Sequence, residues 1–129
     1  MYVSIEGIDT AGKSTQLNIL EKKFPNAIFT KEPGGTALGI KLRAMALGGE
    51  AKSSIAEMFL FLADRAEHIE EVIKPNKNSL VISDRSVVSG IAYANQFEID
   101  KLVELNLIAT SNILPTHIIL IINWWPMIF

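Results

Sequence analysis

Apolar positions along the chain fall into short β-branched runs that alternate with stretches of helical spacing. Tyr2 to Glu6 is apolar and β-branched and stops at Gly7, the pattern of a buried parallel strand feeding a turn. From Ser14 to Phe24 the residues Leu17, Leu20 and Phe24 recur at helical spacing until Pro25 ends the pattern. Ala27 to Thr30 reads as a second strand and Glu32-Pro33-Gly34-Gly35 as a turn, after which Leu38, Leu42, Met45 and Ala46 predict a helix ending near Gly48-Gly49. Ser54 and Glu57 have capping-box spacing at the head of a long helix that runs to about Ile73, before Pro75. Leu80-Val81-Ile82 predicts a third buried strand, Val87 to Gln96 and Asp100 to Thr110 two further helices, and His117 to Ile122 a fourth strand. Such alternation predicts an α/β fold with a parallel sheet flanked by helices, whose ligands bind beyond the carboxyl ends of the strands.

Composition narrows this picture. A chain of 129 residues has room for one core, expected over residues 1–122, followed by an atypical apolar tail at 123–129 that holds Trp124 and Trp125 and follows no period. Twelve Lys and Arg against fourteen Asp and Glu leave a charge of −2, so no nucleic-acid partner is expected and any phosphate recognition must be local. With no cysteine, disulfides, thiol nucleophiles and thiolate zinc sites are excluded. No basic start precedes a long apolar segment, and the run Ile118 to Ile122 is far below the roughly 20 residues that span a bilayer, so the expectation is a cytoplasmic protein with no membrane partner.

The strongest chemical signal is Gly7-Ile8-Asp9-Thr10-Ala11-Gly12-Lys13-Ser14, a complete G-x-x-x-x-G-K-S between a predicted strand and a predicted helix, with Thr15 next in the helix. Glycines let backbone N–H groups turn inward around phosphate oxygens, and the helix N-terminus adds positive potential at the same place. Lys13 is then expected to reach the β and γ phosphates as a point charge that contributes nothing to the core, and the Ser14 hydroxyl to ligate Mg²⁺. A solvated lysine on a glycine-rich turn is the competing reading, and the strand-to-helix context disfavours it. Leu80 to Asp84 is an apolar strand ending in a carboxylate, which suits either a magnesium-side element or a cap for the following helix.

Ile5 to Asp9 with the phosphate loop, Glu32 to Thr36, Phe61 to His68, and Asp84-Arg85 with Ser89 and Tyr93 together resemble the ordered signature of bacterial thymidylate kinases over about residues 1–122. The resemblance implies a P-loop nucleoside monophosphate kinase fold, phosphoryl transfer from ATP with Mg²⁺ to dTMP, and a homodimer. Residues Gly7 to Thr15 would bind ATP, with Ser14 and Asp84 on the metal side and Lys13, Asp9 and Arg85 in catalysis. The implied dTMP site is Asp9, Pro33, Arg43, Phe61, Arg65, Arg85 and Tyr93.

The residue chemistry stands beside these implied roles. Phe61 and Arg65 are four apart on the long predicted helix, so one face offers a base a ring and a donor. Phe61, Leu62, His68 and Ile69 occupy the positions three and four away from Arg65, and none is acidic, which weakens a helical ion pair as the alternative. Arg85 at the strand end suits a bidentate clamp on a monophosphate, Asp9 would lie near the acceptor sugar and phosphate, and Tyr93 beside the deoxyribose, although Tyr93 alone reads as core. For Arg43 the alternative is a surface salt bridge. His68 and His117 have no metal-binding pattern and are expected at a helix surface and a strand start. Departures are Thr10, which supplies no loop arginine, Lys31 for a common Arg, Ser86 for an aromatic or His, and Gly90 where some relatives use Asn. The family's lid, last strand and closing helices would lie beyond Phe129. A chain without them is expected to be a poor kinase that aggregates through its open sheet edge. The alternatives are a kinase for another nucleoside monophosphate and a non-catalytic nucleotide-binding fragment.

Overall fold

The computed structural model describes residues 1–122, and the tail expected at 123–129 lies outside the described residues. A parallel sheet of four strands has the order β2-β3-β1-β4, with β1 at Tyr2–Glu6, β2 at Ile28–Lys31, β3 at Val81–Asp84 and β4 at His117–Leu120. Helices α1 (Lys13–Lys23), α2 (Ala37–Leu47), α3 (Ser54–His68), α4 (Val87–Tyr93) and α5 (Ile99–Ala109) fill the intervals. The expected α/β alternation is therefore present, with boundaries shifted by at most three residues except at the end of the long helix. Among the described residues no helix is long and apolar enough to cross a membrane.

Every residue of β1 is buried, as its apolar run requires of a strand paired on both edges. Its period of two divides the core. Val3 and Ile5 join Ile82 on the face covered by Leu17 and Leu20 of α1, while Tyr2 joins Val81 with Ile69 and Ile73 on the opposite face. At the carboxyl edge the same alternation sends Asp84 to Lys13 on the α1 face, and the next residue, Arg85, turns to Asp9 and Ser89. Strand β4, expected as a fourth strand with an open edge, pairs with β1 along one side only, and each of its residues is exposed.

The long helix departs from its expected form. Ser53, not Ser54, is the cap: its hydroxyl accepts from the N–H groups of Ile55 and Ala56, and Ser54 is the first helical residue. The α-helix ends at His68, and Ile69–Ile73 continues as one wide turn that buries both Ile69 and Ile73 against Tyr2 and Val81.

Candidate active site

The phosphate loop closes with Gly12 as the cap of α1, at φ 84°, a conformation that favours glycine. Gly7 is fixed by space: a Cβ there would come within 2.8 Å of the Ile121 carbonyl beyond β4. The N–H groups of Lys13, Ser14 and Thr15 open the helix and have no intrahelical acceptor, which makes the loop an anion-binding end. Lys13 is only 7% exposed and forms an ion pair with Asp84, so the expectation that it adds nothing to the packed structure is corrected. Asp84 does not cap the next helix. Ser86 does, its hydroxyl accepting from Val88 N–H.

Ser14 and Asp84 line one open cleft of about 420 Å³ between α1 and β2. Among the described residues no group of three or more acidic or histidine side chains could hold a metal. A hydroxyl and a carboxylate nevertheless suit Mg²⁺, which keeps several waters and takes its other ligands from substrate phosphates.

Asp84 and Arg85 join this region to a second cleft, also about 420 Å³ and more enclosed, on the other side of the sheet's carboxyl edge. Asp9, Pro33, Arg43, Phe61, Arg65, Arg85 and Tyr93 all line it. The residues singled out for an acceptor nucleotide are thus brought together from the loop, the turn after β2, the junction after β3, and α2, α3 and α4.

Arg85 is braced in both backbone and side chain. It holds φ 70°, unusual for a side-chain-bearing residue, secured by its N–H on the Ile5 carbonyl at 3.0 Å and by the Ser83 hydroxyl donating to its own carbonyl at 2.7 Å. Its guanidinium donates to Asp9 Oδ1 at 2.6 Å and to Ser89 Oγ at 3.0 Å, and it lies 5.4 Å from the centre of the Tyr93 ring. Partial burial alone would lower its pKa, but the Asp9 hydrogen bond and the Tyr93 contacts outweigh that, so the net shift is upward and the group stays cationic. Ser89 in turn donates to Glu6, a buried carboxylate that also accepts from Ser86 Oγ at 2.6 Å. Tyr93 is 62% exposed, which overturns its reading as core.

Arg65 reveals what helical spacing concealed. It is buried, and its Nε donates to Glu32 Oε2 at 2.8 Å, an ion pair made across elements and invisible to a search along one helix. His68 is fully buried, with Nδ1 2.8 Å from Glu32 Oε1 and Nε2 2.7 Å from Thr30 Oγ1, so its expected place on a helix surface is corrected. His117 does begin β4 and is exposed. Arg43 is exposed on α2 and has no salt bridge among the described residues, against the alternative considered for it. Asn106 of α5 was not singled out. The signal was available: Leu102 and Asn106 of α5 and Thr110 at its C-terminal cap recur at intervals of four, and all three are buried. An amide in such a stripe needs a partner, and Asn106 finds Arg65.

A family model described as thymidylate kinase matches residues 5–123. A thymidylate kinase of Aliarcobacter butzleri is 98% identical over 121 residues, which cover 94% of this chain and 64% of that protein. One of Wolinella succinogenes is 60% identical over 121 residues, with the same coverage of 94% and 64%. The crystal structure of a thymidylate kinase from Ehrlichia chaffeensis superposes with a TM-score of 0.85 at 31% identity, covering 95% of this chain and 72% of that one. This chain thus spans 64% of the length of the first two relatives.

Proposed function

The chain belongs to the thymidylate kinase family, and from that premise we propose that it carries the nucleotide-binding core for phosphoryl transfer from ATP to dTMP, giving ADP and dTDP. The observation that carries the reading is the union of two features at one sheet edge. The phosphate loop and the cleft lined by Phe61, Arg65, Arg85 and Tyr93 meet at the adjacent residues Asp84 and Arg85.

In this reading the backbone N–H groups from Gly7 to Thr15 and the Lys13 ammonium hold the ATP phosphates. Ser14 and Asp84 would hold Mg²⁺, which when bound neutralises charge on the phosphate oxygens. Phe61 stacks the thymine, Arg65 donates to it, and Tyr93 with Pro33 and Arg43 closes the sides of the cleft. Arg85 clamps the acceptor phosphate, and its bond to Asp9 keeps the fork aimed along the loop. An oxygen of that phosphate then bonds to the γ-phosphorus as the bond from the γ-phosphorus to the β-bridging oxygen breaks. Positioning and cationic stabilisation supply the catalysis, since transfer of this kind asks little covalent chemistry of the protein.

A cytoplasmic location and a homodimer belong to the same proposal. The dimer is supported by the exposed apolar side chains Leu47, Ile55 and Phe59 of the packed pair α2 and α3. The test is dTMP-dependent release of ADP from ATP and Mg²⁺, run beside dUMP, CMP and GMP and paired with binding titrations. Release with dTMP preferred supports the reading. Preference for another monophosphate assigns the cleft to that nucleotide, and binding of nucleotide without turnover leaves a binding core alone.

A further inference from the structure

The Arg65 guanidinium is fixed from three directions. Nε is held by Glu32, which His68 steadies on its other oxygen. Nη1 donates to Asn106 Oδ1. Asn106 is 2% exposed, and its Nδ2 is committed to the Leu102 carbonyl at 2.7 Å, so the amide cannot reverse without placing its own N–H groups against the guanidinium. From the third side Gly90 provides space: a Cβ there would lie 2.8 Å from Arg65 Cζ and nearer still to both terminal nitrogens. Because the guanidinium is held by Glu32 and Asn106, it could not simply swing away from such a Cβ. Nη2 makes no hydrogen bond to protein among the described residues, and Arg65 and Gly90 both line the cleft.

Resting on the assignment of this cleft to dTMP, we infer that Asn106 and Gly90 are positioning residues for base recognition. Asn106 draws the guanidinium towards α5, and Gly90 leaves it room, so that Nη2 presents its N–H groups to a base stacked on Phe61. Arginine offers donors only, so a guanidinium held in this way favours a pyrimidine with a carbonyl oxygen on its exposed edge over one with an amino group there. Both residues line the cleft, and the role inferred for each is exerted on the guanidinium and not by a bond of its own to the base. Their effect passes through Arg65.

The test is calorimetric titration of dTMP, dCMP and ATP into the full chain carrying Asn106→Leu or Gly90→Ala, each alone and combined with Arg65→Met. Each single substitution is expected to weaken dTMP about tenfold, the scale of one hydrogen bond to a charged group. It should also lower the preference for dTMP over dCMP and leave ATP affinity unchanged. In the Arg65→Met background neither should cause further loss, a non-additivity that a merely structural role would not produce. Gly90→Ala keeps the test open if Asn106→Leu fails to fold, because it approaches the guanidinium from the opposite side. Unchanged dTMP affinity and preference in the variants, or full additivity with Arg65→Met, overturns the inference alone. Failure of the unmutated chain to bind dTMP while it binds ATP overturns the assignment of the cleft, and the inference with it.

Discussion

Replacing Glu32 by methionine removes the carboxylate at the centre of the buried network while keeping nearly the same volume. Glu32 is 4% exposed and accepts from Arg65 Nε and His68 Nδ1, each at 2.8 Å. The substitution leaves the Arg65 cation buried without its counter-charge, and breaking one side of such a pair costs about 3–5 kcal/mol. Hydrogen-bond accounting gives a similar figure, since two bonds to a charged acceptor are worth about 1.5–3 kcal/mol each. Against a total stability of about 5–15 kcal/mol the loss is large. With a urea slope of about 1.5 kcal/mol/M, the unfolding midpoint should fall by about 2–3 M. The double variant Glu32→Met with Arg65→Met removes both charges and should recover a good part of the loss, because a buried ion pair replaced by apolar groups is often near neutral. Equilibrium urea unfolding followed by circular dichroism measures all of these. A cost below about 1 kcal/mol for Glu32→Met, or a double variant no more stable than the single one, would refute the reasoning that Glu32 compensates a buried Arg65 charge.

Lys13→Ala should abolish measurable ATP binding by titration, while the lost pair with the partly exposed Asp84 lowers stability by roughly 1 kcal/mol or less in urea. Phe61→Ala should weaken dTMP by about 1–3 kcal/mol, the worth of a base stacked on an aromatic ring, and leave ATP affinity as it was. Burial, with Glu32 nearby, raises the Asp64 carboxyl above its usual value near 3.8 despite the Gly34 N–H it accepts. The folded state therefore holds that proton to higher pH than the unfolded chain, and stability falls as pH rises from the usual value through the raised one. Asp64→Asn removes this contribution, so urea midpoints measured from about pH 4 to about pH 7 should decline less in the variant than in the unmutated chain.

The elements that set the site were legible because their signals are local. The phosphate loop lies between β1 and α1 as its spacing required, and Phe61, Arg65, Arg85 and Tyr93 reach one cleft as the family resemblance implied. What escaped depends on contacts distant in sequence. Glu32 pairs with a residue 33 positions away and Asn106 with one 41 positions away, and neither separation leaves a periodic trace. His68 was misplaced because no partner for it lies along its own helix, whereas Thr30 and Glu32 satisfy both ring nitrogens in the interior. Ser53 and Ser54 are adjacent and equally suited as caps, and the bonds to Ile55 and Ala56 decide between them.

The central claim is that one sheet edge holds two nucleotides with their phosphates meeting beside Asp84 and Arg85. A crystal structure of the chain grown with dTMP and ATP tests it most directly. The account predicts thymine stacked on Phe61 with a carbonyl oxygen at Arg65 Nη2, the monophosphate on Arg85, and the ATP phosphates in the loop from Gly7 to Thr15. A dTMP molecule seated instead in the cleft between α1 and β2, or turned so that its phosphate lies away from Arg85, would contradict it.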